Sequence, residues 1–192
     1  MSRIVVDSIR NSSASSDGIT LSSDGKVAFP NTSTGKILQV VSTTKTDTAS
    51  FASANTSNFT DISGLSVSIT PSSTSSKILV VATVAAAVGT GSLHVRLARG
   101  STGIAVGDTS SNRQSSTMSR RSQSSIYNLE ITPMSFNFLD SPNTTSATTY
   151  KVQATAGSTY DTTVYINRSS GDSDYSYGAR VASTITVMEV AA

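Results

Sequence analysis

The stretch GLSVSITPSSTSSKILVVATV, Gly64 to Val84, carries two strand patterns on either side of one turn. Leu65, Val67 and Ile69 alternate with Ser66, Ser68 and Thr70, so one face is apolar and the other hydroxylated, the pattern of a half-buried strand. Pro71 ends the alternation, since proline cannot donate to a sheet ladder. Five hydroxyl residues, Ser72 to Ser76, follow as a turn. From Lys77 to Val88 the chain is almost continuously aliphatic. Ile78, Val80, Val84 and Val88 fall on one face, bulky enough for a sandwich core. Val81, Thr83, Ala85 and Ala87 fall on the other. That second face is small and weakly polar. It suits either the close approach of a symmetry mate or cover from within the same subunit.

The alternation recurs along the chain. Leu93, Val95 and Leu97 oppose His94, Arg96 and Ala98; Met134, Phe136 and Phe138 oppose Ser135 and Asn137. Tyr150, Val152 and Ala154 oppose Lys151, Gln153 and Thr155, and Ile185 and Val187 oppose Thr184 and Thr186. No window of a dozen residues has the three-and-four spacing of a helix. Short strands between Gly, Pro, Asn and Asp clusters predict an all-β fold: an antiparallel, jelly-roll-like β-sandwich head over residues 36–192.

Composition narrows the function classes. The 192 residues suffice for a core without covalent staples. Only 14% are charged, against a usual ~25%, and Ser plus Thr supply about a third. A Ser face is flat and uncharged, and offers hydroxyls to a neighbour without the desolvation cost of a charge. That suits packing between like subunits or on a scaffold, and equally a durable solvated surface. Net charge is +2, without the clustered basic face of a nucleic-acid binder. No Cys is present, so disulfides and thiolate metal sites are excluded. The start, Met1 to Asp7, lacks the apolar core of a signal peptide, and Ile78 to Val88 is too short to cross a membrane as a helix. The expectation is a soluble chain made in a cytoplasm, with no membrane insertion. Six Asn-x-Ser/Thr triplets, Asn167 among them, follow from the Ser/Thr content.

Residues 1–35 read as a separate β-rich segment. Ser15 to Leu21 and Ser22 to Ala28 echo each other over seven residues, each with an Asp-Gly turn signal. The few apolar residues between turns cannot bury a core alone. Ile4, Val6, Ile9, Ile19 and Leu21 are the candidate anchoring residues, ordering on other copies of the chain or on a docking partner. The alternative is a disordered Ser-rich arm. Pro30 to Gly35 then links to the head.

Catalytic patterns are missing. His94 is the only His, lying mid-strand beside Arg96, and a lone His without Cys forms no ordinary zinc site. There is no Gly-x-Ser-x-Gly elbow and no P-loop. Gly100 to Gly103 reads as a hairpin turn between Leu97 and Ile104, and Ser110 to Ser125 as an exposed loop with Arg113, Arg120 and Arg121. Asp172 and Asp174 have Asp-x-Asp spacing but lack the later ligands of a calcium loop. Neither an enzyme activity nor a cofactor or metal is expected. The candidate contact residues are Arg168, Asp172, Asp174, Tyr175 and Tyr177, because aromatic faces pack on sugar C–H groups and acids accept sugar hydroxyls. The alternative is a long loop whose tyrosines cover the end of the sandwich.

The opening SRIVVDSIRNSSASSDGITLSSDG resembles the N-terminal segment of tail-fibre and other virion fibre proteins of tailed bacteriophages. GKILQVVSTTKTDT, FTDISGLSVSITPSSTSSKILVVATV, RLARGSTGIAVGD, SPNTTSATTYKVQA, VYINRSS and STITVMEV resemble a C-terminal domain common in phage structural proteins. The resemblance implies a β-sandwich head on a short stalk, a homotrimer, fixed to other virion proteins of tail or capsid by its N-terminus. It implies location in the virion, no enzymatic activity and no cofactor. A short fibre attaching to a host-surface glycan is the leading expectation. A capsid decoration or head-fibre protein is the second, since the chain has no long shaft, and a monomeric carbohydrate-binding module is the third.

Overall fold

The computed structural model describes residues 8–9, 19–21, 23, 27–28, 36–53, 58–122, 129–157 and 163–192. These are strands and loops without a helix. Three short strands, β1 (Ser8–Ile9), β2 (Ile19–Leu21) and β3 (Val27–Ala28), form an antiparallel sheet of their own. The predicted apolar pieces of the N-terminal segment are therefore its strands. Ile9 and Leu21 remain exposed; Ile4 and Val6 lie outside the described residues.

The remaining strands build two sheets. One contains β4 (Ile37–Lys45), β5 (Ala49–Ala52), β7 (Lys77–Ala87), β11 (Thr132–Asp140), β13 (Thr163–Ile166) and β14 (Ser183–Val190). The other contains β6 (Thr60–Ile69), β8 (Gly91–Arg99), β9 (Thr102–Ile104), β10 (Met118–Ser122) and β12 (Thr148–Gly157). Several of these strands are halves of one row. β13 and β14 pair with the same edge of β7, Ile166 opposite Ala86 and Thr184 opposite Thr83. β5 and β4 pair with those two halves in turn. β9 and β10 share one edge of β8, Ile104 opposite Leu97 and Met118 opposite Val95. Joining the halves leaves eight rows. Numbered along the chain, their orders are 1-8-3-6 in one sheet and 5-4-7-2 in the other. That is the jelly-roll order, two four-row sheets face to face.

The alternating residues fill the space between the sheets. Leu65, Val67, Ile69, Leu93, Val95, Leu97, Tyr150, Val152 and Ala154 meet Ile78, Val80, Ala82, Val84, Ile185 and Val187, all buried, with Met134 and Phe136 beside them. The outer face of β7 differs between its two ends. Ala85 and Ala87 are covered within the single chain, while Val81 is 40% exposed. Gly64 takes a positive φ of 78° where β6 and β12 slip register, a bulge that lets Asp61 meet Gln153.

The region Ser110 to Ser125 departs from its expected loop. Met118–Ser122 is strand β10, paired along β8. An edge strand needs only its backbone to pair, so Met-Ser-Arg-Arg-Ser shows no alternation, and its two arginines discourage further pairing. Arg120 there pairs with Glu130. The hairpin expected at Gly100 to Gly103 is present, with Gly100 at φ 58°.

Candidate functional site

The loop that carries the tyrosines leaves and rejoins the sheet between β13 and β14. Asn167 holds its base. It is fully buried with φ 60°, a left-handed conformation that Asn tolerates better than most residues. Its backbone N–H donates to Ala85 O at 2.9 Å and its carbonyl accepts from Val181 N at 3.0 Å. Its side-chain Nδ2 donates to Lys45 O at 2.8 Å and Asp47 O at 2.9 Å, spanning the break between β4 and β5. Its Oδ1 accepts from Ser183 Oγ at 2.6 Å, and that same Oγ accepts the Ala85 N–H at 3.0 Å. One Asn and one Ser thus replace the ladder bonds lost where the strand divides. This Asn is packed inside the fold, so its sequon presents no accessible amide.

Above this base, Asp172 organises the loop. Arg180 donates to both of its oxygens, Nε at 3.2 Å and Nη2 at 2.8 Å, and Arg168 Nη1 lies 3.5 Å from Oδ2. The Arg180 bonds hold the Asp172 carboxyl below the usual carboxylate range, and Asp172 raises Arg180 in return. Arg168 also sits over the Tyr165 ring at 4.7 Å. Gly178 closes the turn, donating to Tyr175 O; a Cβ there would stand 3.2 Å from two carbonyl oxygens. Tyr175 and Tyr177 stack with centroids 5.0 Å apart and planes 11° from parallel. They are 54% and 73% exposed, so their outer faces are open. Beside them a hollow of about 370 Å³ is lined by Asp172, Asp174, Tyr175 and Arg180 among others.

All five sequence-predicted residues therefore fall in one loop, with divided roles. Arg168 and Asp172 brace it, and Asp174, Tyr175 and Tyr177 face outward. The sequence reading missed Arg180, which closes the clamp, and Asn167, which sets the base. Asn167 had one visible signal, a polar residue directly after the apolar Val164–Ile166 parity. Among the described residues no group of three or more His, Asp or Glu could hold a metal ion.

His94 lies on the outer face of β8. Ser119 Oγ is 3.0 Å from its Nδ1, and burial lowers its pKa, favouring the neutral ring. Its Nε2 lies 2.6 Å from where a Cβ on Gly157 would stand, so Gly157 makes room for the imidazole. No family model matches the chain, and no match is found among curated proteins.

Proposed function

We propose that this chain is a non-enzymatic structural component of a bacteriophage particle, a short trimeric fibre anchored by its N-terminus, whose jelly-roll head contacts a host-surface glycan. The observation that carries this reading is the two-ended build of the head. The chain enters the sandwich at Ile37, opposite Val190 at one end of β14. The tyrosine loop leaves at the other end of that strand, beside Ser183. Eight residues of β14 separate the two, roughly 25 Å at the usual rise per residue. A protein held at one end and touching at the other needs this arrangement. Stacked, outward tyrosines on a braced loop add a surface for sugar rings. Jelly rolls serve both viral capsids and lectins, which agrees with the reading while leaving the site to carry the functional argument.

The test combines two variants. Tyr175→Ala with Tyr177→Ala is expected to abolish binding to host cells or a glycan array while the melting temperature holds, since both rings are exposed. Deleting residues 1 to 34 is expected to abolish incorporation into particles and leave a folded head. Normal incorporation of the truncated chain would overturn the anchoring role. Unchanged glycan and cell binding by the double variant would overturn the contact role. Labelling of intact particles separates tail from capsid attachment, the latter being the mark of a decoration protein.

A further inference from the structure

A second excursion lies between β9 and β10, from Ala105 to Thr117, on the flank of the other sheet. It walls a hollow of about 500 Å³ floored by Phe59 and Arg96. The Arg96 guanidinium sits 4.2 Å over the Phe59 ring. Its Nε donates to Gln153 Oε1 at 2.7 Å, and buried Gln153 donates onward to Asp61 Oδ1 at 2.5 Å. Asp61 is occupied on its other oxygen by Lys151 at 2.6 Å. Arg96 is therefore fixed by a neutral amide and a ring. Arg113, across the hollow, is held to Ser110 Oγ at 2.8 Å. Neither arginine forms an ion pair among the described residues.

We propose that this hollow binds an acidic saccharide, a sugar bearing a carboxylate or a phosphate. Among the described residues two guanidinium groups line it and no carboxylate does. A guanidinium fork matches either anion with two parallel hydrogen bonds. The rest of its described wall is uncharged and polar: Asn112, Gln114 and three hydroxyl residues offer both donors and acceptors. That inventory fits a ring carrying several hydroxyls and one acid. The volume fits a small organic ligand better than a bare ion. Arg96 needs little ordering on binding, because Gln153 and Phe59 already hold it. The site is separate from the tyrosine loop, so either can fail without the other.

The experiment is calorimetric titration of the full-length chain with four probes: an oligogalacturonate, a phosphorylated oligosaccharide, a neutral oligosaccharide of matching length, and a single-stranded DNA oligomer. One or both acidic sugars should bind at least about tenfold more tightly than the neutral one, and whichever does identifies the anion. Arg113→Ala, on an exposed loop, should lower that affinity about tenfold or more, with Arg113→Lys intermediate. The variant lacking Tyr175 and Tyr177 should keep it. Equal affinity for the neutral sugar, tighter binding of the DNA, no binding of either acidic sugar at millimolar concentration, or an indifferent Arg113→Ala would each overturn the assignment.

Discussion

Glu189 is a fully buried carboxylate whose hydrogen-bond partners are all neutral. Gln39 Nε2 donates to it at 2.5 Å, Ser72 N at 2.7 Å and Ser72 Oγ at 2.6 Å. Gln39 also donates to Thr70 O at 2.7 Å. The run of five hydroxyl residues after Pro71 is thus part of a carboxylate cradle that locks the turn onto β14. Burial by itself would raise this carboxyl. The bonds from Gln39, Ser72 and Ser76 outweigh it and hold the pKa at about 2. A carboxyl depressed on folding adds stability above its unfolded value near 4.5, and that stability drains as pH falls toward 2. Glu189→Gln is expected to cost roughly 2–3 kcal/mol at pH 7, since an amide cannot accept every bond. Melting curves from pH 7 to pH 3 check this: the gap between variant and parent should narrow below about pH 4.5. A constant gap would mean that the carboxylate charge is not what binds the turn. The sequence held one hint of this role. Glu189 shares the inward parity of Ile185 and Val187, where an acid has no solvent to face. Its partners on β4 and the hydroxyl turn come from distant parts of the chain, so sequence spacing could not reveal them.

At the scale of elements, the most legible strands were those whose own side chains alternate between core and solvent. The split rows were hidden, because their continuity is written on the neighbouring strand. Nothing in Thr102–Ile104 or Met118–Ser122 says that both line one edge of β8. The repair is the same at the break along β8 and at the break along β7. Thr117 Oγ1 accepts the Leu97 N–H at 2.9 Å, as Ser183 Oγ accepts that of Ala85 at 3.0 Å. A hydroxyl just before or at the start of the second half-strand supplies the acceptor that a backbone carbonyl would otherwise give. This explains part of the Ser and Thr excess. Cross-strand hydroxyl pairs explain more, such as Ser42 with Thr186 at 2.8 Å and Thr83 with Ser135 at 2.9 Å. Thr117→Val and Ser183→Ala should each destabilise by about 1–3 kcal/mol, the cost of leaving an inward N–H without its acceptor. Hydrogen exchange supplies the specific readout. The amide of Leu97 should exchange faster in the first variant and that of Ala85 in the second. Uniform changes across the sheet would show that the hydroxyls act through packing alone. The candidate loop was legible for a related reason. Its tyrosines and aspartates were conspicuous because Asp172, Asp174, Tyr175 and Tyr177 stand so close together in the sequence, while its clamp required the fold to bring Arg180 back to Asp172.

The two faces of the whole molecule differ in a way that bears on assembly. On the sheet containing β7, the outward ranks run Val40–Met188–Leu79–Leu139, then Ser42–Thr186–Val81–Asn137, then Thr44–Thr184–Thr83–Ser135. None of these residues is charged, and the first rank is apolar throughout, with Val40 56% and Leu139 48% exposed. Exposed Leu38 stands beside it on β4. A contiguous apolar rank of this kind marks an interaction surface more often than a bare one. Its position suggests the occupant. It lies at the end of the sheet where the chain arrives from the N-terminal segment, so under the trimer proposal copies joined through that segment would have this end of their sheets near one another. An uncharged face also meets its own copy without repulsion. The other sheet carries Lys151, Asp61 and Arg96 outward. Under the trimer proposal, light scattering should give the mass of three chains for the full-length protein. Val40→Asp with Leu139→Asp should then lower the assembly to single chains, or raise its dissociation constant at least about tenfold, because each interface would have to bury new carboxylates. Both side chains are half exposed, so circular dichroism and the melting curve of the monomer should change little. A double variant that stays fully trimeric would remove this face from the interface and leave the N-terminal segment to hold the copies together by itself.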